Sequence, residues 1–249
     1  MKNNSYAIIT GVSGGIGSSL VKRLKDSNIK ILGIDFITPN DTSNLDVFYK
    51  LDLQDIVINE TSRNNFLKFV TNWLGNNNLE LLVNNAAVQC LGEIKELDLD
   101  TWNKTLNVNL LAPFFLIQGL LDHLINSNGC VINISSIHAR ATKSNFIAYA
   151  TSKAAISGMN RALAIELGSS ISFYCIEPAA VLTEMLKAGF VNAPSKLNQL
   201  AACHPSGEIS TPDQLSELIY FLYDKRIPAL QGTAIEFGGG ISGRLFDPA

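Results

Sequence analysis

Four glycines fall within residues 11–17, directly after the short apolar run Tyr6–Thr10. A segment of amphipathic helical periodicity follows, since Leu20, Val21 and Leu24 share one side. Glycines let the backbone of such a turn approach a pyrophosphate, and a helix start offers unpaired N–H groups and positive dipole. A merely tight turn would not require four glycines. This order of strand, turn and helix therefore predicts a nucleotide-binding α/β unit.

The rest of the chain alternates short apolar runs with helical segments. We predict strands at residues 6–10, 29–35, 47–51, 79–83, 130–134, 171–176 and 233–237, and helices at 18–25, 60–74, 99 to about 125, 148–167 and 212–223. This alternation is typical of an α/β fold with a doubly wound parallel sheet of about seven strands, flanked by helices on both faces. We expect one domain over residues 1–249, burial of the apolar segment 99–125 on most sides, and an irregular substrate lid at about 183–210.

The composition excludes several classes of function. The net charge is -3 without any run of like charges, so nothing predicts binding to nucleic acid or to an anionic membrane. The longest charge-free run, residues 105–121, is too short and too polar to span a bilayer. The N-terminal residues have no signal-peptide pattern, so we expect a cytoplasmic protein with a small-molecule substrate.

The cysteines and histidines give no metal-ligand pattern. They are widely spaced, and we expect the cysteines to be reduced and buried and no metal to be bound. The residues are Cys90, Cys130, Cys175, Cys203, His123, His138 and His204.

Tyr149 and Lys153 are four residues apart in a predicted helix, so they lie one turn apart on the same face. A cation beside a phenol favours the phenolate and lowers the tyrosine pKa from about 10, as general acid/base catalysis near neutral pH requires. A hydroxyl, Ser136, precedes this helix. The same spacing is common where a lysine is simply solvated, so the pair depends on its context.

Asp35 closes the second predicted strand, eighteen residues after Gly17. An acid there accepts hydrogen bonds from the adenosine ribose and repels a 2′-phosphate, which favours NAD over NADP. A strand-end turn former is the weaker explanation of Asp35. Asp52 is read equally well as an adenine-pocket residue or a turn residue. The Asn-Asn-Ala-Ala tract at residues 84–87 offers small residues and amides for close approach to the adenosine.

Together these residues resemble the short-chain dehydrogenase/reductase family in its compact branch, over nearly the whole chain. The matching motifs are TGxxxGIG at 10–17, an NNAG-like tract at 84–87, Asn109 in NVNLLAPF, Ser136 of INISS, the Tyr149 and Lys153 pair, EPAAVLTEM at 177–185 and GTAIEFGGG at 232–240. The resemblance implies a Rossmann-type fold and an NAD(P)-dependent enzyme acting on CH–OH groups.

The resemblance also implies roles for individual side chains. Tyr149 would transfer the proton, and Ser136 would orient the substrate oxygen. Lys153 would lower the tyrosine pKa and hold the nicotinamide ribose, while Asn109 would anchor a water that links the lysine to solvent. The predicted cofactor-binding residues are Gly11, Ser13, Gly15, Ile16, Gly17, Asp35, Asp52, Leu53, Asn85, Ala86, Tyr149, Lys153, Pro178, Val181 and Thr183, with Thr183 at the nicotinamide carboxamide.

Residues that line the substrate are predicted from their positions in the sequence relative to these motifs. His138, two residues past Ser136, either hydrogen-bonds a substrate hydroxyl or carboxylate or faces solvent. Arg140 and Lys143 are candidate anion ligands, although exposed loop charges usually stay solvated. The predicted substrate residues are Gln89, His138, Phe146, Ala180, Leu186 and Phe190.

Three residues depart from the family pattern. Ala87 and Ala179 stand where glycines are usual, which is expected to shift the nicotinamide pocket and leaves the cofactor preference less certain. Glu208 stands where many relatives carry arginine.

The predicted function is an NAD-dependent oxidoreductase that interconverts a secondary alcohol and a ketone on a small polar substrate, namely a sugar, polyol or hydroxy acid. Two alternatives stay open: a non-catalytic dinucleotide-binding regulatory protein, and a nucleotide-sugar epimerase or dehydratase. Relatives are commonly dimers or tetramers, so we expect a homo-oligomer, a homotetramer in particular. The tail, residues 241–249, is expected to pack near the lid of a neighbouring subunit.

Overall fold

Seven parallel strands form the sheet. The computed structural model describes residues 5–191 and 194–245. The strands are β1 (Tyr6–Thr10), β2 (Lys30–Asp35), β3 (Val47–Lys50), β4 (Leu81–Asn84), β5 (Cys130–Ile134), β6 (Ser172–Pro178) and β7 (Ala234–Phe237). They are ordered β3-β2-β1-β4-β5-β6-β7 with every pairing parallel. The direction of growth changes between β1 and β4, and ligands bind outside the carboxyl ends of strands at such a switch point.

Helices cover both faces of this sheet because strand side chains alternate between the faces. Ile8 belongs to the hydrophobic core on one face of the sheet, and Ile9 belongs to the core on the other face. The helices are α1 (Gly15–Lys25), α2 (Leu53–Ile58), α3 (Glu60–Leu74), α4 (Leu99–Leu106), α5 (Ala112–Gly119), α6 (Leu121–Asn126), α7 (Ile147–Leu167), α8 (Glu184–Ala188), α9 (Pro194–Cys203) and α10 (Pro212–Lys225). The predicted fold class is confirmed.

The long helix predicted at residues 99–125 is instead three helices. A π-helical turn, Asn107–Leu111, joins α4 to α5, and α6 starts anew at Leu121. Burial on most sides was also wrong. Leu116 is fully buried on the sheet, whereas Leu99 and Phe114 are 71% and 37% exposed. Only the inner side of this segment has the sheet to pack against.

Residues 183–210 are also more regular than predicted, since they contain α8 and α9. Gly189 and Pro194 divide this segment, so neither helix is long enough to show a clear period. Within the described part of the chain, no helix has both the length and the apolar character needed to cross a bilayer.

The cysteine prediction is only partly correct. Cys130 and Cys175 are buried, but Cys90 is partly buried and Cys203, the last residue of α9, is exposed.

Candidate active site

The glycine turn leaves no room for side chains at two positions. Gly11 has a φ of +73°, and a Cβ on it would lie 2.8 Å from the Ala86 Cα. A Cβ on Gly17 would lie 2.1 Å from the Gly11 carbonyl oxygen. These contacts bring the turn against the tract that follows β4.

The start of α1 suits an anion. Its N-cap, Gly14, has no side chain to bond the first N–H groups, and the first turn has no acidic residue. A cavity of about 370 Å³ lies beside it, between α1 and the loop after β2, and Ser13 and Lys22 are among its lining residues. The free N–H groups at the start of α1 therefore fit the pyrophosphate of a dinucleotide.

Thr10 holds the two sides of this site together. Its Oγ1 accepts the N–H groups of Asn85 and Ala86, each at 3.0 Å. The Asn85 side chain donates to the carbonyl oxygens of Thr10 and Gly11, at 2.9 and 3.1 Å. This role of Thr10 was not predicted, although its place at the end of β1, directly before the glycines, was a signal for it.

Asp35 is both a charge at the turn and a structural acceptor. Its carboxylate accepts the N–H of Ser13 at 2.9 Å and that of Ile37 at 3.2 Å. The turn-forming explanation is thus realised, and the side chain joins the end of β2 to the glycine turn. Asp52 likewise caps α2 by accepting the N–H of Gln54 at 2.9 Å, and Leu53 lies in the core.

The segment after β6 also reaches the glycine turn. Val181 pairs with Ser210 in an isolated bridge. Thr183 accepts the N–H of Leu186 at the start of α8, and a Cβ on Gly15 would lie 3.0 Å from the Thr183 methyl. Among the remaining predicted residues, Pro178 is buried, Gln89 is exposed, and partial burial is found for Ile16, Ala180, Leu186 and Phe190.

A hydrogen bond links the side chains of Ser136 and Tyr149 and lowers the pKa of the tyrosine. Ser136 Oγ also accepts the N–H of His138 at 3.2 Å, because Ser136 caps the 3-10 turn at Ile137–Ala139. Lys153 is 2% exposed, its Nζ donates to the Ile134 carbonyl at 2.7 Å, and it lies 5.6 Å from the Tyr149 ring centroid.

Burial dominates the electrostatics of this site. It raises the pKa of Tyr149, and the bond with Ser136 offsets part of that rise. Burial also lowers the pKa of Lys153 to about 8. The net shift of the Tyr149 pKa is therefore upward, and the lowering expected from Lys153 stays a prediction. The lysine is directed at a main-chain carbonyl, and desolvation penalises the charged form of both groups.

Asn109 lies in the π-helical turn and connects the strand-end tract to α7. Its side chain exchanges two hydrogen bonds with the backbone of Val88, at 2.8 and 2.9 Å, and donates to Ser152 Oγ at 3.0 Å. This structural use of the amide was not predicted. π-turns of this kind are frequent at functional sites.

His138 and Phe146 form an aromatic wall beside Tyr149. Their rings stack with centroids 4.3 Å apart, and the His138 centroid lies 5.7 Å from that of Tyr149. Burial lowers the pKa of His138, and Lys143 lowers it further. His138 Nδ1 also lies 2.9 Å from Thr142 Oγ1.

Arg140 is not the anion ligand that was considered. Its Nε lies 2.6 Å from Glu177 Oε2 and its Nη1 lies 3.0 Å from Glu236 Oε1. Two carboxylates thus already neutralise the guanidinium.

Comparison with known proteins identifies relatives along almost the full length. A family model described as short chain dehydrogenase matches residues 5–192. A subunit of (2S)-[(R)-hydroxy(phenyl)methyl]succinyl-CoA dehydrogenase, BbsD of Thauera aromatica, is 28% identical over 247 residues, which cover 96% of this chain and 97% of that protein.

Solved structures resemble the fold as a whole. The ligand-free aldohexose dehydrogenase of Thermoplasma acidophilum has a TM-score of 0.89 at 23% identity, covering 99% of this chain and 98% of that one. ElxO with NADP bound has a TM-score of 0.85 at 22% identity, covering 97% and 100%. At these identities the likeness concerns the fold alone.

Proposed function

We propose, because this chain belongs to the short-chain dehydrogenase family, that it is an NAD-dependent oxidoreductase interconverting a secondary alcohol and a ketone. The observation that carries the proposal is the hydrogen bond between Ser136 and Tyr149, beside the buried Lys153 and at the same sheet edge as the glycine turn. A small polar substrate, namely a sugar, polyol or hydroxy acid, suits the polar groups of Ser136 and His138.

In the proposed mechanism Tyr149 is the general acid and base. The phenol exchanges a proton with the substrate oxygen while Ser136 donates a hydrogen bond to that oxygen. The start of α1 would hold the pyrophosphate, Asp35 the adenosine ribose, and Thr183 and Lys153 the nicotinamide end. A bound NAD would supply the hydride chemistry. Because burial raises the pKa of Tyr149, the phenol is protonated at neutral pH, which supports ketone reduction there and alcohol oxidation at higher pH.

The test is turnover across a panel of secondary alcohols and ketones, followed by NADH absorbance. NADH formation from one class of alcohol would support the proposal. Tight dinucleotide binding without turnover would favour the regulatory alternative. Product formed without net change in NADH would favour the epimerase or dehydratase alternative.

The fold itself does not select NAD, because ElxO has the same fold and binds NADP. The proposed NAD preference therefore rests on Asp35. Asp35→Asn retains an acceptor oxygen but removes the charge that repels a 2′-phosphate. Two unit charges about 4 Å apart interact by roughly 4 kcal/mol near a protein surface, so the ratio of kcat/KM for NAD over NADP should fall by up to about 1,000-fold. The matched control is Asp100→Asn on the exposed start of α4, which should keep the ratio. An unchanged ratio in Asp35→Asn would disprove the charge argument.

We propose that residues 183–210 form the substrate lid. The C-terminal segment contacts this region in its own chain, since Arg244 donates to the carbonyls of Ala202 and Cys203 at the end of α9. The tail was predicted to reach a neighbouring subunit, and residues 246–249 of that tail lie outside the described residues.

We also propose a homo-oligomer, a dimer or a tetramer, built through the helices that carry Asn109 and Tyr149. Ile165 on α7 is 89% exposed, and Phe114 on α5 is 37% exposed. Covering such residues stabilises an interface. Sedimentation velocity should give a dimer or tetramer, and Ile165→Asp should shift it towards monomer. Ile94→Asp, at a 76% exposed loop position, is the control that should not. A monomeric wild-type protein would contradict the proposal.

A further inference from the structure

A buried carboxylate lies behind the proposed site. Glu177, in β6, is only 3% exposed. Its Oε2 lies 2.6 Å from Arg140 Nε, and its Oε1 accepts a hydrogen bond of 2.7 Å from the Ser157 hydroxyl. Both oxygens are thus used, one by a cation and one by a neutral donor.

The two partners of Glu177 belong to the two segments that carry the proposed acid/base groups. Arg140 closes the turn that Ser136 opens, and its own N–H donates to the Ile137 carbonyl at 3.0 Å. Glu177 therefore binds the far end of the turn from which the Ser136 hydroxyl projects.

The other partner lies on the helix of Tyr149. Ser157 is one turn beyond Lys153 on α7, and its Oγ lies 2.9 Å from Ser135 Oγ. Ser157 gives its single proton to Glu177, so the Ser135 proton is directed either to Ser157 or to the main-chain oxygen of Lys153 at 2.8 Å. Ser157 itself thus links the carboxylate that binds the serine turn to α7.

The two ion pairs of Arg140 differ in strength. The Glu236 side chain is 46% exposed, so water screens its ion pair with Arg140. The Glu177 side chain is only 2% exposed. The carboxylate of this pair is buried, although the Arg140 side chain is 51% exposed, so removing the cation leaves a buried charge with only the Ser157 hydroxyl as its hydrogen-bond partner. The Glu177 contact is therefore the one that orders the turn.

We infer that Arg140 and Glu177 are positioning residues, which hold the Ser136 hydroxyl against Tyr149. The inference rests on the proposed function, since it assigns Arg140 an effect on turnover through Ser136. It replaces the anion-binding role considered for Arg140.

The kinetic test removes the cation. Arg140→Met should lower kcat by about 10- to 100-fold, as small misplacements of reacting groups do, while the Kd for NADH stays within about twofold. Arg140→Lys should recover part of kcat because it restores a cation. Glu236→Gln, which removes only the exposed partner, should keep kcat within about twofold of wild type.

A double-mutant cycle separates positioning from general damage. If Arg140 acts through Ser136, adding Arg140→Met to Ser136→Ala should cost no more than about twofold further. An equal loss in both backgrounds would overturn the inference, as would full kcat in Arg140→Met alone. If Arg140→Met does not fold, Glu177→Gln takes its place in the same cycle, since it keeps an acceptor but removes the charge.

Hydrogen exchange tests the same inference without turnover. Amides of residues 136–142 should exchange faster in Arg140→Met than in wild type or Glu236→Gln, because the turn loses its anchor. Unchanged exchange would overturn the inference. A wild-type protein that turns over no substrate would refute the proposed function instead, and the exchange result would still decide whether the pair orders the turn.

Discussion

Tyr149→Phe is expected to reduce turnover by about 1,000-fold or more while the Kd for NADH stays within about twofold of wild type. The substitution removes one hydroxyl, the group proposed to exchange a proton with the substrate oxygen, and general acid/base catalysis contributes roughly 10²- to 10⁴-fold. The aromatic contacts of the ring with His138 and Phe146 are retained. Steady-state kinetics and fluorescence titration with NADH measure the two effects separately.

Tyr220→Phe is the matched control for this substitution. Tyr220 lies on α10, where Arg23 stacks over its ring at 3.7 Å, far along the chain from the proposed site. Its variant should keep wild-type turnover. Full activity of Tyr149→Phe with the true substrate would refute the proton-transfer assignment.

Lys153→Met is expected to abolish turnover and yet to stabilise the protein at neutral pH. Lys153 is almost fully buried, and its pKa falls from 10.5 to about 8 because burial penalises the ammonium. The protein therefore bears a desolvation cost at pH 7 that a methionine of similar length avoids. We expect the free energy of unfolding at pH 7 to rise by about 1–3 kcal/mol. Loss of the bond to the Ile134 carbonyl offsets part of this gain.

The pH dependence follows from the direction of the shift. Between pH 8 and 10.5 the unfolded lysine binds more protons than the folded one, so the wild-type free energy of unfolding rises with pH in that window. The full contribution is about 3 kcal/mol, at roughly 1.36 kcal/mol per pKa unit. The stability difference between Lys153→Met and wild type should therefore shrink as pH approaches 10.

Urea unfolding at several pH values measures this dependence. Lys68→Met, at an exposed position of α3, is the control and should keep the wild-type slope. A Lys153→Met variant that is less stable than wild type at pH 7, with the same pH slope, would refute the desolvation argument.

The family and the positions of the strands along the chain were predictable because their signals are local. Each strand is a short apolar run, and the glycine turn needs a backbone conformation and a close approach that other residues do not allow. The family model confirms the membership predicted from these motifs. The cofactor and substrate roles of individual side chains stay predictions.

The segment at residues 99–125, which was predicted as one long helix, shows where prediction from the local sequence pattern fails. Its apolar composition predicted burial, yet composition does not record which side has a neighbour. In the structure the sheet covers Leu116 but not Phe114. The π-turn at Asn107–Leu111 also has no distinct sequence period, so the break went unpredicted.

The sequence by itself determined the nucleotide-binding fold, the sheet and the spacing of Ser136, Tyr149 and Lys153, because glycine stereochemistry and side-chain periodicity act over a few residues. Only the tertiary structure decided how those groups are charged and held. Burial raises the pKa of Tyr149 and lowers that of Lys153, against the effect expected from their spacing. The partner of Arg140 is 37 residues away in sequence, at Glu177. Desolvation and ion pairing depend on which atoms surround a group, and those atoms come from distant parts of the chain.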